Sequence, residues 1–252
     1  MSLLEPQYLL FLAFIALFTG FIKGGMPSLG ALLSATVALV FPARDALGIT
    51  LCFLLVGDTV AVSLYWRLAH WQELKKMILP VLAGIGAGGL LLNSLDNSNL
   101  GLTIGLVVLL LVLMEPFRPQ LTTLALGHPG IARSVSGVGA GIATTIGNAA
   151  GPILSIYFLV LNLDKRAFIG TGSIFFLFVN VSKLPIFIGQ DVFHLQYMAS
   201  IALTAPLVYA GALGGRKFLE WIPQHWFNRV VLLFTGIAAV WLVAANMAPQ
   251  VP

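Results

Sequence analysis

Apolar stretches recur along the whole chain, five before its midpoint, at roughly 8–22, 26–41, 46–66, 75–93 and 99–114, and five after it, at roughly 132–147, 151–162, 167–188, 195–215 and 226–246. Segments so apolar and so closely spaced leave almost nothing with which to face water: hydrophobic residues make up 59% of the 252 positions and charged residues 9%. Inside a bilayer every backbone N–H and C=O must find a partner within the protein, which selects helices for such segments. The expected fold is an all-α polytopic membrane protein of about 8–10 membrane segments. The opening "MSLLEPQ" lacks the positive flank of a cleaved leader, so the first stretch is read as a retained membrane segment.

Several segments, notably 26–41 and 151–162, fall short of the about 20 residues that a straight helix needs to cross. They are expected as half-helices or re-entrant arms, and these two each follow a break rich in glycine and proline. The first break is "GFIKGGMPSLG" (Gly20 to Gly30), leading to "FPARDALGIT" (Phe41 to Thr50); the second is "GIATTIGNAAGP" (Gly141 to Pro152), leading to "LDKRAFIGTG" (Leu163 to Gly172). Each half therefore holds an interrupted pair, a charged loop and three longer segments. Whether the pair crosses twice or dips and returns, the total in each half is odd. Two inverted repeats are expected, over residues 1–120 and 121–252.

Basic residues give the orientation. With the N-terminus on one side, that side's loops hold only Arg44, whereas the other side receives Arg67, Lys75, Lys76, Arg118, Arg133, Lys165, Arg166, Arg216, Lys217 and Arg229. The richer side is expected to be cytoplasmic, with both termini periplasmic. Dispersed in this way, the basic residues suit topology control among membrane lipids and exclude a nucleic-acid surface. "YWRLAHWQ" (Tyr65 to Gln72) is read as an interfacial anchor built on Tyr65, Trp66 and Trp71. Cys52 is read as packing, and the separated His70, His128, His194 and His225 offer no metal spacing, so no metal or other cofactor is expected. Gly84, Gly86, Gly88 and Gly89 are read as helix-packing positions.

Lys23 and Lys183 belong to neither set of loops. An ammonium at bilayer depth costs at least about 2.5 kcal/mol unless something compensates it. Lys23 precedes Gly24, Gly25 and Pro27 where one helix stops and another starts, and the free amides of a new helix attract anions. The first break is therefore read as an anion-binding device; the competing reading is a lysine reaching the interface beside glycines used for packing. In the second break Thr144, Thr145 and Asn148 offer hydroxyls and an amide to substrate oxygens, and Gly151 leaves backbone accessible. The alternative is hydrogen bonding between neighbouring helices. Lys183, just before Pro185, is either a second cation for the anion or a residue near the surface, at an expected kink. Asp58, the one acid away from loops, is expected either to pair with a lysine or to accept a coupling proton.

The chain resembles the TauE/SafE family, the sulfite exporter-like (TSUP) permeases, through "KGGMPSLG" at Lys23 to Gly30, "FPARDALG" at Phe41 to Gly48, "VGDTVAVSLYWRLAHW" at Val56 to Trp71 and "TTIGNAAGPI" at Thr144 to Ile153. That resemblance implies a bacterial inner-membrane carrier of sulfite or organosulfonates with two inverted halves. Lys23, Gly24, Gly25 and Pro27 would occupy the first family motif, and Asn148, Ala149, Ala150, Gly151 and Pro152 the second. Many members have a fuller glycine run in the first motif than the Gly24–Gly25 pair found here.

The resulting expectation is alternating-access export of a small sulfur oxyanion between the two breaks. An anion channel is the nearest alternative. An intramembrane enzyme is disfavoured, because neither Ser63 nor Ser182 has an accompanying His-Asp arrangement. The sulfur compound, the coupling ion and the oligomeric state are left open by the sequence.

Overall fold

The computed structural model describes residues 6–25, 30–38, 40–95, 127–193 and 197–223, with single positions between 99 and 123 and between 226 and 244. Most of segments 99–114 and 226–246 thus falls outside the described residues, and Pro27 does too. The described helices, in chain order, are α1 (Pro6–Gly25), α2 (Gly30–Ala38), α3 (Ala43–Tyr65), a 3-10 turn (Trp66–Leu68), α4 (Trp71–Ser94), α5 (Pro129–Gly147), α6 (Ala150–Val160), α7 (Lys165–Ser182), α8 (Leu184–Gly189) and α9 (Met198–Trp221).

Among the described residues, five helical stretches are long and apolar enough to cross a membrane: Tyr8–Gly25, Ala43–Leu68, Trp71–Ser94, Lys165–Gly189 and Met198–Trp221. The protein is an all-α polytopic membrane protein. At 1.5 Å per residue, α2 and α6 reach only about 14 and 17 Å, well short of the about 30 Å hydrocarbon layer.

Local chemistry sets several boundaries. Asp164 caps α7, its Oδ1 accepting from the backbone N–H of Arg166 at 2.8 Å and Ala167 at 2.9 Å. α5 ends at Asn148, which takes the left-handed conformation (φ 54°) that asparagine tolerates better than most residues. The amides of Asn148 and Ala149 then turn back onto Thr144 O (2.9 Å) and Ala143 O (3.1 Å). The stretch expected at 167–188 is divided at Lys183, where Pro185 lacks the N–H that would continue α7 smoothly into α8.

Two seams of close helix contact organise the packing. Along the first, a Cβ built on Gly20 would stand 1.9 Å from Val208 O, on Gly24 2.2 Å from Ala212 O, on Gly211 2.1 Å from Leu17 O and on Gly215 2.2 Å from Phe21 O. Backbones this close admit only glycine. The partners rise together in number, so α1 and α9 run parallel. Along the second, Gly137 meets Pro80, Gly84 meets Val138 and Gly88 meets Ile142, so α4 and α5 also run parallel. Gly84, Gly88 and Gly89 are packing positions as expected, Gly89 lying against Ile186, whereas Gly86 has nothing within 4 Å.

α3 and α7 cross between the seams in opposite directions, Asp58 meeting Asn180 and Tyr65 O lying by Gly170. The anchor expected at Tyr65 to Gln72 needs one correction. Trp66 and Trp71 are 46% and 48% exposed, but Tyr65 is 5% exposed and donates its hydroxyl to Gly24 O at 2.8 Å. As the last residue of α3 it is turned onto the helix's core face, one step of rotation away from Trp66.

Candidate functional site

Lys23 lies in the last turn of α1 with its side chain 1% exposed. Its stem runs past Gly57, where a Cβ would approach Lys23 Cγ to 2.9 Å. The next residue, Asp58, is fully buried, and its Oδ1 lies 2.6 Å from Lys23 Nζ. The two groups are in direct ion-pair contact. Oδ2 accepts from Asn180 Nδ2 at 2.5 Å, and the Phe176 ring lies 4.4 Å from the Lys23 ammonium. The lysine and the acid that stand apart in the sequence as intramembrane charges thus form one pair. In this conformation Lys23 is neutralised by the protein itself.

Lys183 is also fully buried, at the junction of α7 and α8. Its Nζ donates to Thr144 O at 3.2 Å, to Thr144 Oγ1 at 3.3 Å and to Asn148 Oδ1. Asn148 in turn donates from Nδ2 to Ser34 Oγ, 2.9 Å away on α2. A Cβ on Gly30, the first residue of α2, would stand 2.9 Å from Asn148 O. The helix that follows the first break therefore rests against the residue at the second, and the buried Lys183 side chain lies at that junction.

The other candidates are placed differently. Gly24 and Gly25 face α9, against Ala212 and Gly215, so their missing side chains serve close packing. Thr145 turns its hydroxyl onto Gly141 O at 2.9 Å within its own helix. Gly151 lies in the first turn of α6, its carbonyl accepting from Ser155 at 2.8 Å. Pro27 is outside the described residues.

Several members of the site are not apparent from sequence. Ser34 is one hydroxyl in an apolar segment, Phe176 one aromatic among many, and Tyr65 resembles an interface residue. Asn180 had a readable signal, since it precedes Lys183 by one helical turn.

A second polar cluster also escapes the sequence. Glu73, in the first turn of α4, accepts from Lys76 Nζ (2.9 Å) through Oε1, and from Arg133 Nε (3.1 Å) and Tyr157 OH (2.9 Å) through Oε2. It ties α4, α5 and α6 together. Nearby, an apolar cavity of about 270 Å³ opens between α4 and α7, lined by Trp71, Leu74, Met77, Phe175 and Phe178, with Lys75 also contributing. None of Lys23, Asp58, Asn148 or Lys183 lines it.

Residues 12–242 match a family model described as Sulfite exporter TauE/SafE. No curated protein and no solved structure matches the chain.

Proposed function

We propose that this chain, which belongs to the sulfite exporter TauE/SafE family, carries a small sulfur oxyanion such as sulfite or an organosulfonate across a bacterial inner membrane by alternating access. Membrane transport is the function that the family and the polytopic helical fold make plausible; cargo and mechanism are our reading. The observation that carries it is the buried Lys183 ammonium, held by Thr144 and Asn148 at one break while Asn148 holds Ser34 beyond the other. An oxyanion entering there would meet one cation and groups from both interrupted helices.

In this proposal residues 1–120 and 121–252 are inverted halves, and three features support it. The first helix of each half packs on the fourth segment of the other when α7 and α8 are counted as one segment, α1 on α9 and α5 on α4. Arg44 at the start of α3 caps the end of α4 through Leu92 O (3.3 Å) and Leu95 O (3.0 Å), and Lys165 at the start of α7 does the same for α9 through Leu219 O (3.1 Å) and Ile222 O (3.0 Å). Finally, Asp58 and Asn180 are 122 positions apart, the same offset that lays "FPARDALGIT" over "LDKRAFIGTG". Equivalent residues of two halves meet face to face only on the axis that relates them.

Lys183 supplies charge, Thr144 and Asn148 supply polar contacts, and Lys23 joins them whenever Asp58 releases it. A proton on Asp58 is one means of release, which would couple cargo to protons. Both termini lie on the periplasmic side in this arrangement, by the excess of Lys and Arg on the opposite face. The activity is transport without chemical change of the cargo.

Counterflow of labelled sulfite in proteoliposomes tests the proposal. Wild type is expected to exchange, and Lys183→Met to lose about ten- to hundredfold, the equivalent of one charge-assisted hydrogen bond. Undiminished exchange in that variant would remove the site, and current without counterflow would favour a channel.

A further inference from the structure

The buried charges do not balance. Among the described residues the charged side chains removed from solvent are Lys23, Asp58 and Lys183. Lys23 and Asp58 compensate one another at 2.6 Å. Among the described residues Lys183 has only neutral hydrogen-bond partners, the carbonyl and hydroxyl of Thr144 and the amide oxygen of Asn148. The Thr144 hydroxyl can donate as well as accept, so these three contacts satisfy an ammonium and a neutral amine alike. With Lys183 protonated, the set carries one positive charge in excess, inside a protein that spans a bilayer.

Asp58 touches one of the two lysines and the helix that leads to the other. One of its oxygens faces Lys23, and the other accepts from Asn180, three residues before Lys183, which closes α7. The carboxylate thus behaves as a resident anion, fixed where a second negative charge of the cargo would need to be.

From this arrangement we infer that the site carries singly charged oxyanions, and that ionised Asp58 is the residue that imposes the limit. The inference rests on the carrier reading above and deepens it. A monoanion, whether R–SO3⁻ or the protonated form of sulfite, brings the buried set to neutrality. A dianion leaves one negative charge unmatched, and an unmatched charge in a buried or bilayer setting is strongly penalised. Discrimination is then electrostatic: the acid repels the surplus charge and also holds Lys23 away from the cargo. Replacing Asp58 by asparagine keeps an oxygen for the Asn180 amide, frees Lys23 and raises the excess to two.

Two anions of similar size separate the possibilities. Sulfamate, in which an amino group replaces one oxygen, is singly charged near neutral pH, and sulfate is doubly charged. Each is offered outside proteoliposomes preloaded with labelled sulfite, and counterflow is recorded for wild type and Asp58→Asn. Wild type is expected to favour sulfamate over sulfate at least tenfold, and Asp58→Asn to reduce that ratio at least tenfold. Equal or better exchange with sulfate in wild type overturns the inference, and so does a ratio unchanged in a folded Asp58→Asn. Should the variant fail to fold, the wild-type ratio decides alone. Sulfite-for-sulfite exchange without monoanion preference defeats only this inference, whereas absence of all exchange defeats the carrier reading beneath it.

Discussion

Replacing Gly215 by alanine places one methyl group in the seam between α1 and α9. The new Cβ would lie 2.2 Å from Phe21 O and 3.0 Å from Gly25 N. Ordinary contact begins near 3.4 Å, so the helices must separate locally by the difference, about 1.2 Å. The obstructing atoms are helix backbone, which cannot rotate aside as a side chain can. Separation also loosens the neighbouring close approaches at Gly211, Gly24 and Gly20. Overpacking of this kind costs typically about 1–3 kcal/mol, against a gain of at most about 1 kcal/mol from alanine's better helix propensity. A net loss of about 2 kcal/mol is expected, read as a shift in the unfolding midpoint in mixed micelles under reversible conditions. Gly86→Ala is the matched control, because nothing lies within 4 Å of its Cβ. It should be neutral or stabilising by up to about 1 kcal/mol. Gly215→Ala unfolding within about 0.5 kcal/mol of wild type, or Gly86→Ala costing as much as Gly215→Ala, would refute the reasoning.

Removing one member of the Lys23–Asp58 pair, by Lys23→Met or Asp58→Asn, should cost about 3–5 kcal/mol, while the double variant recovers most of that loss; additive losses in the same unfolding assay would count against a paired role. At Asn148, alanine must adopt the left-handed conformation at about 1–2 kcal/mol and glycine need not, so Asn148→Gly should be the more stable of two variants that both lose the Lys183 and Ser34 contacts. An alanine variant as stable as the glycine one would argue against that backbone geometry.

What the sequence made legible is what a bilayer makes rare. Lys23, Asp58 and Lys183 stand out because charge at depth is costly, and all three are buried. The breaks at Lys23 to Gly30 and Gly147 to Ala150 stand out because glycine and proline interrupt apolar helices, and the helices expected at 46–66 and 75–93 begin three and four residues earlier, at Ala43 and Trp71, and end within one residue of expectation, at Tyr65 and Ser94. Pairing was harder to read. A hydroxyl in an apolar helix usually bonds its own backbone, as Thr19 does to Ile15 O (2.7 Å) and Ser155 to Gly151 O (2.8 Å), so nothing local distinguishes Ser34, which reaches Asn148. Glu73 looks like an ordinary first-turn acid until Arg133 and Tyr157 are folded against it. Gly24 and Gly25 carried two meanings, substrate access and helix contact, and only the position of α9 reveals the contact they make.

The seam between α1 and α9 also has a consequence for biogenesis. Gly25 and Met198 are separated by 172 intervening residues, which a ribosome adds at roughly 5–20 per second. For on the order of ten seconds or more, the nascent first helix has its glycine-lined face in the membrane before its own docking partner has been synthesised. Lipid, the insertion machinery or a provisional neighbour must cover that groove in the meantime, and the finished arrangement requires each such occupant to leave.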